Sequence, residues 1–154
     1  MSTLKEGDKA PIFKGLNQDE KLISLTDFSG QKVILYFYPK DNTPGCTAES
    51  CNLNDHYDEL TTQGFVVIGV SPDSITSHQK FIAKHNLRFN LIADTEKEIL
   101  QQFNAWGLKK MYGREYMGVL RKTFVIDENG TIVKIFEKVK TKDHTNQILS
   151  ELNQ

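Results

Sequence analysis

The chain has 154 residues, 19 basic and 20 acidic side chains, a net charge of −1 and 38% hydrophobic residues. That length sets one domain over 1–154 as the expectation, large enough to bury a core without disulfide staples. The apolar content excludes a disordered chain, the charge balance gives no broad footprint for nucleic acid or an anionic membrane, and no run approaches the roughly 18 apolar residues of a membrane span.

Residues Met1 to Asp8 carry no apolar leader, so a cytoplasmic location is expected. Leu22-Ile-Ser-Leu25 reads as a short strand, hairpinned with the residues around Phe13. Lys32-Val-Ile-Leu-Tyr-Phe-Tyr38 is nearly continuous in apolar and β-branched residues and ends at Pro39, which has no N–H to give a ladder. Such a run predicts a central strand buried on both faces, and Phe65-Val-Val-Ile-Gly-Val70 has the same character. Between them a helix starts near Thr43, with Leu53, Tyr57 and Leu60 on one face. Strand, helix, strand is a right-handed parallel crossover. A second crossover uses a helix from Ser74 to His85, a strand at Phe89–Ala93 and a helix at Glu96–Phe103. Asn104 to Leu120 fits neither period, and predicts a long loop whose Trp106, Met111, Tyr112, Tyr116 and Met117 pack beneath it or line a binding pocket. Lys122–Asp127 and Thr131–Phe136 flank Glu128-Asn129-Gly130, a hairpin signal, and a last helix covers Asp143–Leu152. The class is α/β: a mixed central sheet with helices on both faces.

The chemistry sits in Pro39-Lys-Asp-Asn-Thr43-Pro44-Gly45-Cys46, a loop leaving the carboxyl end of the first buried strand and entering a helix. Ligands of open α/β sheets bind at such strand ends. Thr43 is a good N-cap and Pro44 suits the first helical position, which makes Cys46 the third helical residue. A thiol there lies among unpaired N–H groups at the positive end of the helix dipole, conditions that favour the nucleophilic thiolate. The Thr43 hydroxyl is expected both to cap the helix and to donate to that sulfur. Cys46 also continues the Leu53–Tyr57 face, so a small buried hydrophobe is the competing reading.

Cys51 stands five residues further on. On an intact helix the two Cα atoms are about 8–9 Å apart, against about 4.4–6.8 Å in a disulfide. Bonding them requires the first turns to unwind, and Thr47, Ser50 and Asn52 make that segment a weak helix. A bystander thiol is the alternative for Cys51.

These residues resemble a known family. Pro39-x-x-x-Thr43-x-x-Cys46 is similar to the peroxidatic signature of the peroxiredoxins. The longer run from Tyr38 through Glu49 to Cys51 resembles the bacterioferritin comigratory protein (peroxiredoxin Q) subfamily. Gly7-Asp8-Lys9-Ala10-Pro11 and Arg121-Lys-Thr-Phe-Val-Ile-Asp127 also match the family's pattern, in order, over nearly the whole chain. The resemblance implies a thioredoxin-like fold and thiol-dependent reduction of hydrogen peroxide and organic hydroperoxides. It implies that Cys46 is peroxidatic and Cys51 resolving, that Thr43 and Arg121 activate the thiolate and polarise the peroxide, and that Pro39 and Gly45 shape the substrate pocket. It further implies an intramolecular disulfide recycled by thioredoxin or a similar dithiol, with no metal or other cofactor. From sequence alone Arg121 is an arginine before a strand, and nothing local supports Arg88 or Arg114 in its place.

Other readings are weaker. His56 repeats the five-residue step from Cys51, but such steps fan ligands around a helix instead of converging them on a metal. A disulfide reductase needs C-x-x-C, which is absent. A non-catalytic redox sensor or binding module could use the same cysteine pair. His78, His85 and His144 read as surface helix positions, and Lys109-Lys110 and Arg121-Lys122 are too short to bind nucleic acid. No exposed apolar stripe demands a second copy, so a monomer is expected.

Overall fold

Runs that are apolar on both faces belong in the middle of a sheet, and the rest of the architecture follows from where they pair. The chain, described for residues 3–153 by a computed structural model, runs β1 (Lys14–Leu16), β2 (Leu22–Ser24), a 3-10 turn (Leu25–Phe28), β3 (Lys32–Phe37), α1 (Pro44–Asp55), α2 (Tyr57–Thr62), β4 (Phe65–Ser71), α3 (Ile75–His85), β5 (Asn90–Ala93), α4 (Glu98–Gln102), β6 (Trp106–Met111), β7 (Arg114–Val119), β8 (Lys122–Ile126), β9 (Ile132–Phe136) and α5 (His144–Leu152). Five strands make one mixed sheet in the order β5-β4-β3-β8-β9. β3, β4 and β5 are parallel, while β8 lies antiparallel to β3, and β9 antiparallel to β8.

Alternation along β3 splits the core in two. Val33, Leu35 and Phe37 pack with Phe13, Ile99, Phe103 and Phe124 on one face. Ile34, Tyr36 and Tyr38 pack with Leu53, Leu60, Phe81 and Ile148 on the other, which carries α1, α2, α3 and α5. Burying one such side chain contributes about 1.5–3 kcal/mol, so Leu53 and Leu60 hold the far end of the α1–α2 segment on the sheet. Gly69 in β4 is part of this fit: a Cβ there would come within 2.8 Å of the Tyr36 ring. Its absence lets Tyr36 reach across to Ser50 of α1, Oη to Oγ 2.8 Å.

Two expectations need correction. The helix expected over the Leu53–Tyr57–Leu60 face is interrupted at His56, whose ring Nδ1 lies 2.9 Å from the Asn52 carbonyl in competition with its own backbone N–H. The stretch Asn104 to Leu120 is not a loop. It is the β6–β7 hairpin, turned at Tyr112-Gly113, both at positive φ. Met111, Tyr112, Tyr116 and Met117 are exposed on it, with Tyr112 at 96%, and are not core packing, whereas Trp106 is half-buried and packs against the core that holds Phe13, Phe103 and Phe124. A ribbon this open shows no buried face, and therefore none of the alternation by which strands are read.

Candidate active site

β3 delivers the chain to the site. Tyr38 still donates to the Val70 carbonyl (3.1 Å); half-buried Pro39 cannot donate, and the ladder stops. The chain turns through Asn42 at positive φ and enters α1 with Pro44 at its first position. Cys46 is the third helical residue and is 1% exposed. Thr43 does occupy the N-cap position, with extended backbone, but its hydroxyl makes no cap bond. It donates instead to the Lys40 carbonyl at 2.7 Å. Its single O–H is therefore committed, and the expected double duty, capping and donating to sulfur, is not observed. What the hydroxyl retains is acceptor lone pairs.

Arg121 arrives from the other direction. The β3–β8 register pairs Phe37 with Lys122, so the residue before β8 lies at the carboxyl end of β3. Its Nη2 donates to Cys46 Sγ at 3.3 Å and its Nη1 to Glu49 Oε1 at 2.6 Å. Gly45 makes this approach possible: a Cβ there would stand 3.3 Å from Nη2. Burial works against the Arg121 charge, but Glu49 and the Cys46 sulfur beside it raise its pKa overall.

Glu49 is the site residue that the sequence reading left without a role. It is fully buried on the face of α1 that carries Cys46, Ser50 and Leu53. A carboxylate on an otherwise buried helical stripe was the available signal. Burial pushes its pKa up to about 7, against the pull of Arg121. Its Oε2 has no hydrogen-bond partner and lies 3.6 Å from His144 Nε2. The tautomer of His144 follows from its neighbours. Gln147 Nε2 donates to the Lys138 carbonyl, and its Oε1 accepts from Lys140 N and from His144 Nδ1 at 2.9 Å. Nδ1 therefore carries the proton, and Nε2 accepts from Thr123 Oγ1 at 2.8 Å. Burial lowers the His144 pKa to about 4, and the nearby Arg121 charge adds to the effect. With its one Nε2 lone pair taken by Thr123, His144 offers the orphaned oxygen of Glu49 no hydrogen bond.

The surface-histidine expectation is overturned for His78 and His144, both fully buried; His85 is half-buried. His78 is held by Asp41 on Nδ1 (2.8 Å) and the Ile92 carbonyl on Nε2 (3.1 Å). Asp41 also accepts from Tyr38 (2.7 Å) and Ser77 (2.8 Å), and its N–H donates to Asp73 (2.8 Å). Asp41, Asp73 and His78 are the one group of metal-ligand types found close together among the described residues, and hydrogen bonds between the members hold it. Arg88 is engaged by Asn54 and Asp58, and Arg114 lies exposed on β7.

Cys51 lies on α1, half-buried, and both cysteines are free thiols. Burial and the Asp55 carboxylate raise the Cys51 pKa. An apolar hollow of about 320 Å³, lined in part by Ala10, Ile12, Leu25 and Phe28, lies at the start of β3, the end away from Cys46.

A buried thiol at the start of a helix, with an arginine on its sulfur, fits thiol-dependent peroxide reduction on a thioredoxin-like fold, and the chain's relatives are peroxiredoxins. The chain belongs to the AhpC/TSA family, whose model matches residues 6–135. It is 47% identical over 152 residues to the putative peroxiredoxin bcp of Haemophilus influenzae, covering 99% of this chain and 98% of that one. A crystal structure of a cysteine mutant of Xylella fastidiosa PrxQ superposes with a TM-score of 0.91 at 31% identity, over 99% of this chain and 98% of the other. The bacterioferritin comigratory protein of Xanthomonas campestris, studied for alkyl peroxide reduction, gives 0.85 at 33% identity, over 92% and 90%.

Proposed function

We propose that Cys46 attacks the peroxide, Cys51 resolves the product, and thioredoxin or a similar dithiol recycles the disulfide. The contact that carries this reading is Arg121 Nη2 on Cys46 Sγ, with Glu49 fixing the guanidinium from behind. The Cys46 thiolate attacks one peroxide oxygen, the O–O bond breaks, and water or an alcohol leaves with a proton. Arg121 and the N–H groups at the start of α1 stabilise the charge moving onto the leaving oxygen. Thr43, whose hydroxyl retains acceptor lone pairs, takes the peroxide O–H, while Pro39 and Gly45 bound the pocket. Cys51 then attacks the Cys46 sulfenic acid; the S–S bond forms, and the oxygen departs as water. A dithiol reverses the bond by exchange, so the electrons come from thiols.

Hydrogen peroxide and organic hydroperoxides are the substrates, a reading supported by the alkyl peroxide activity named for the Xanthomonas relative. A cytoplasmic setting suits a thiol pair that a dithiol must keep reducing. Glu49, Arg121 and Cys46 meet within one chain, so the proposed chemistry requires no second copy, and a monomer acting as one domain over 1–154 completes the reading. The test is peroxide consumption with thioredoxin, on wild type and Cys46→Ser. Many turnovers in wild type and none in the variant are expected. A single stoichiometric oxidation in wild type would instead make the protein a redox sensor.

A further inference from the structure

The first turn of α5 is capped from outside its own sequence. Asp143, at its N-cap position, makes no side-chain cap bond. The N–H of Thr145, the second helical residue, instead donates to Asn52 Oδ1 at 2.8 Å, across 93 residues. Asn52 Nδ2 donates to the Lys142 carbonyl at 3.2 Å, and the buried Thr145 hydroxyl donates to the Asn52 carbonyl at 3.4 Å. One residue of α1 therefore meets α5 with its amide oxygen, its amide nitrogen and its backbone carbonyl. That residue directly follows Cys51.

Both cysteines lie on the wound α1, about 8–9 Å apart by helix geometry, and a disulfide needs about 4.4–6.8 Å. Bringing Cys51 to Cys46 must carry Asn52 with it. We propose that Asn52 is a latch: by capping α5 it holds α1 wound, and its release from Thr145 is the step that lets Cys51 reach the Cys46 sulfenic acid. The inference rests on the Cys46–Cys51 disulfide proposed above. In that step the Cys51 sulfur displaces the sulfenic oxygen, the S–O bond breaks, the S–S bond forms, and the oxygen leaves as water with the Cys51 proton. Asn52 touches neither sulfur. It sets how long the sulfenic acid waits, and so how much of it a second peroxide converts to the sulfinic acid. Release also leaves the Thr145 amide without its acceptor, so α5 senses the redox state of α1.

The experiment follows one oxidation of the reduced, full-length protein by hydrogen peroxide, with mass measurement of thiol, sulfinic acid and disulfide, and amide exchange at Thr145. In wild type, exchange at Thr145 rises on disulfide formation. In Asn52→Ala it is already fast in the reduced state. Loss of an N-cap side chain predicts about fivefold faster disulfide formation, and sulfinic acid falls by a similar factor at equal peroxide. Reaction of Cys46 with peroxide stays the same. Asn52→Asp keeps an acceptor for the Thr145 N–H but loses the donor to the Lys142 carbonyl, and should resolve at a rate between those of wild type and Asn52→Ala. Resolution at the wild-type rate in Asn52→Ala, or unchanged Thr145 exchange in a wild-type protein whose disulfide is confirmed by mass, overturns the latch. A wild type that forms no Cys46–Cys51 disulfide overturns the resolving role of Cys51 first, and that failure shows before any Asn52 variant is compared.

Discussion

Two buried polar clusters flank the loop that carries Pro39 to Cys46, and they are built differently. Around Asp41, every buried side-chain polar atom finds a partner: Tyr38, Ser77 and His78 on the carboxylate, and the Ile92 carbonyl on the far side of His78. Around Glu49, one carboxylate oxygen has no partner and lies 3.6 Å from an imidazole nitrogen already engaged by Thr123. A satisfied network in a low-dielectric interior is stiff, and here it ties the loop to α3 and β5. An unsatisfied carboxylate keeps a protonation equilibrium near neutrality. The first cluster locates the thiol loop; the second governs the arginine that touches the sulfur.

That division gives predictions graded by size. Cys46→Ser should reduce peroxide turnover to the uncatalysed background, since a serine hydroxyl does not ionise near neutral pH. Retained activity in a thioredoxin-coupled assay would remove the site from this loop altogether. His78→Leu should cost about 1–3 kcal/mol in denaturant unfolding, because it removes one of the hydrogen bonds that satisfy the buried Asp41 carboxylate. The rate with peroxide per folded molecule should nevertheless stay near wild type; a large drop would mean that the Asp41 cluster takes part in chemistry. Arg121→Met should slow the second-order reaction of Cys46 with peroxide about 100-fold, the usual effect of losing one positioned donor, and should also lower stability, because the buried Glu49 carboxyl loses its partner. An unchanged rate constant in stopped-flow would detach Arg121 from the sulfur.

The pH dependence of stability is the most diagnostic comparison. Glu49, raised from 4.5 to about 7, binds a proton in the folded state that the unfolded chain has already released, so its stabilising contribution is complete below pH 4.5 and disappears as pH rises to 7. His144, lowered from 6.5 to about 4, does the reverse: its contribution is complete above pH 6.5 and disappears as pH falls to 4. In wild type the two slopes oppose each other. Glu49→Gln should expose the His144 limb, and His144→Gln the Glu49 limb, each about 3 kcal/mol at about 1.4 kcal/mol per pH unit. Urea midpoints from pH 4 to 8 measure this. Parallel curves for the two variants would show that the carboxyl and the imidazole do not oppose each other.

Much of this was legible in the sequence, for reasons tied to particular residues. The β3 and β4 runs have apolar side chains on both faces, and only a central strand accommodates that. Pro39 and Pro44 mark the end of one element and the start of the next, and Cys46 falls where they put it. The β6–β7 hairpin was illegible because its exposed strands bury no stripe. Arg121 could be named only through the family resemblance, because its place beside Cys46 depends on the β3–β8 register, a pairing no local pattern encodes. Thr43 shows a finer limit: its N-cap position could be read, but the direction of one O–H bond could not, since the Lys40 carbonyl competes for it.

The antiparallel placement of β8 beside β3 has a consequence for how the molecule is made. Cys46 and Arg121 are 75 residues apart, an interval that takes roughly 4–15 s of synthesis at roughly 5–20 residues/s. During those seconds the emerging thiol has no guanidinium beside it. The pairing that supplies one is also the non-local contact that closes the sheet, the kind that forms late because a long loop must close first. In the proposed mechanism reactivity and completed folding therefore begin together, and a nascent or truncated chain would expose to oxidants a cysteine without its arginine.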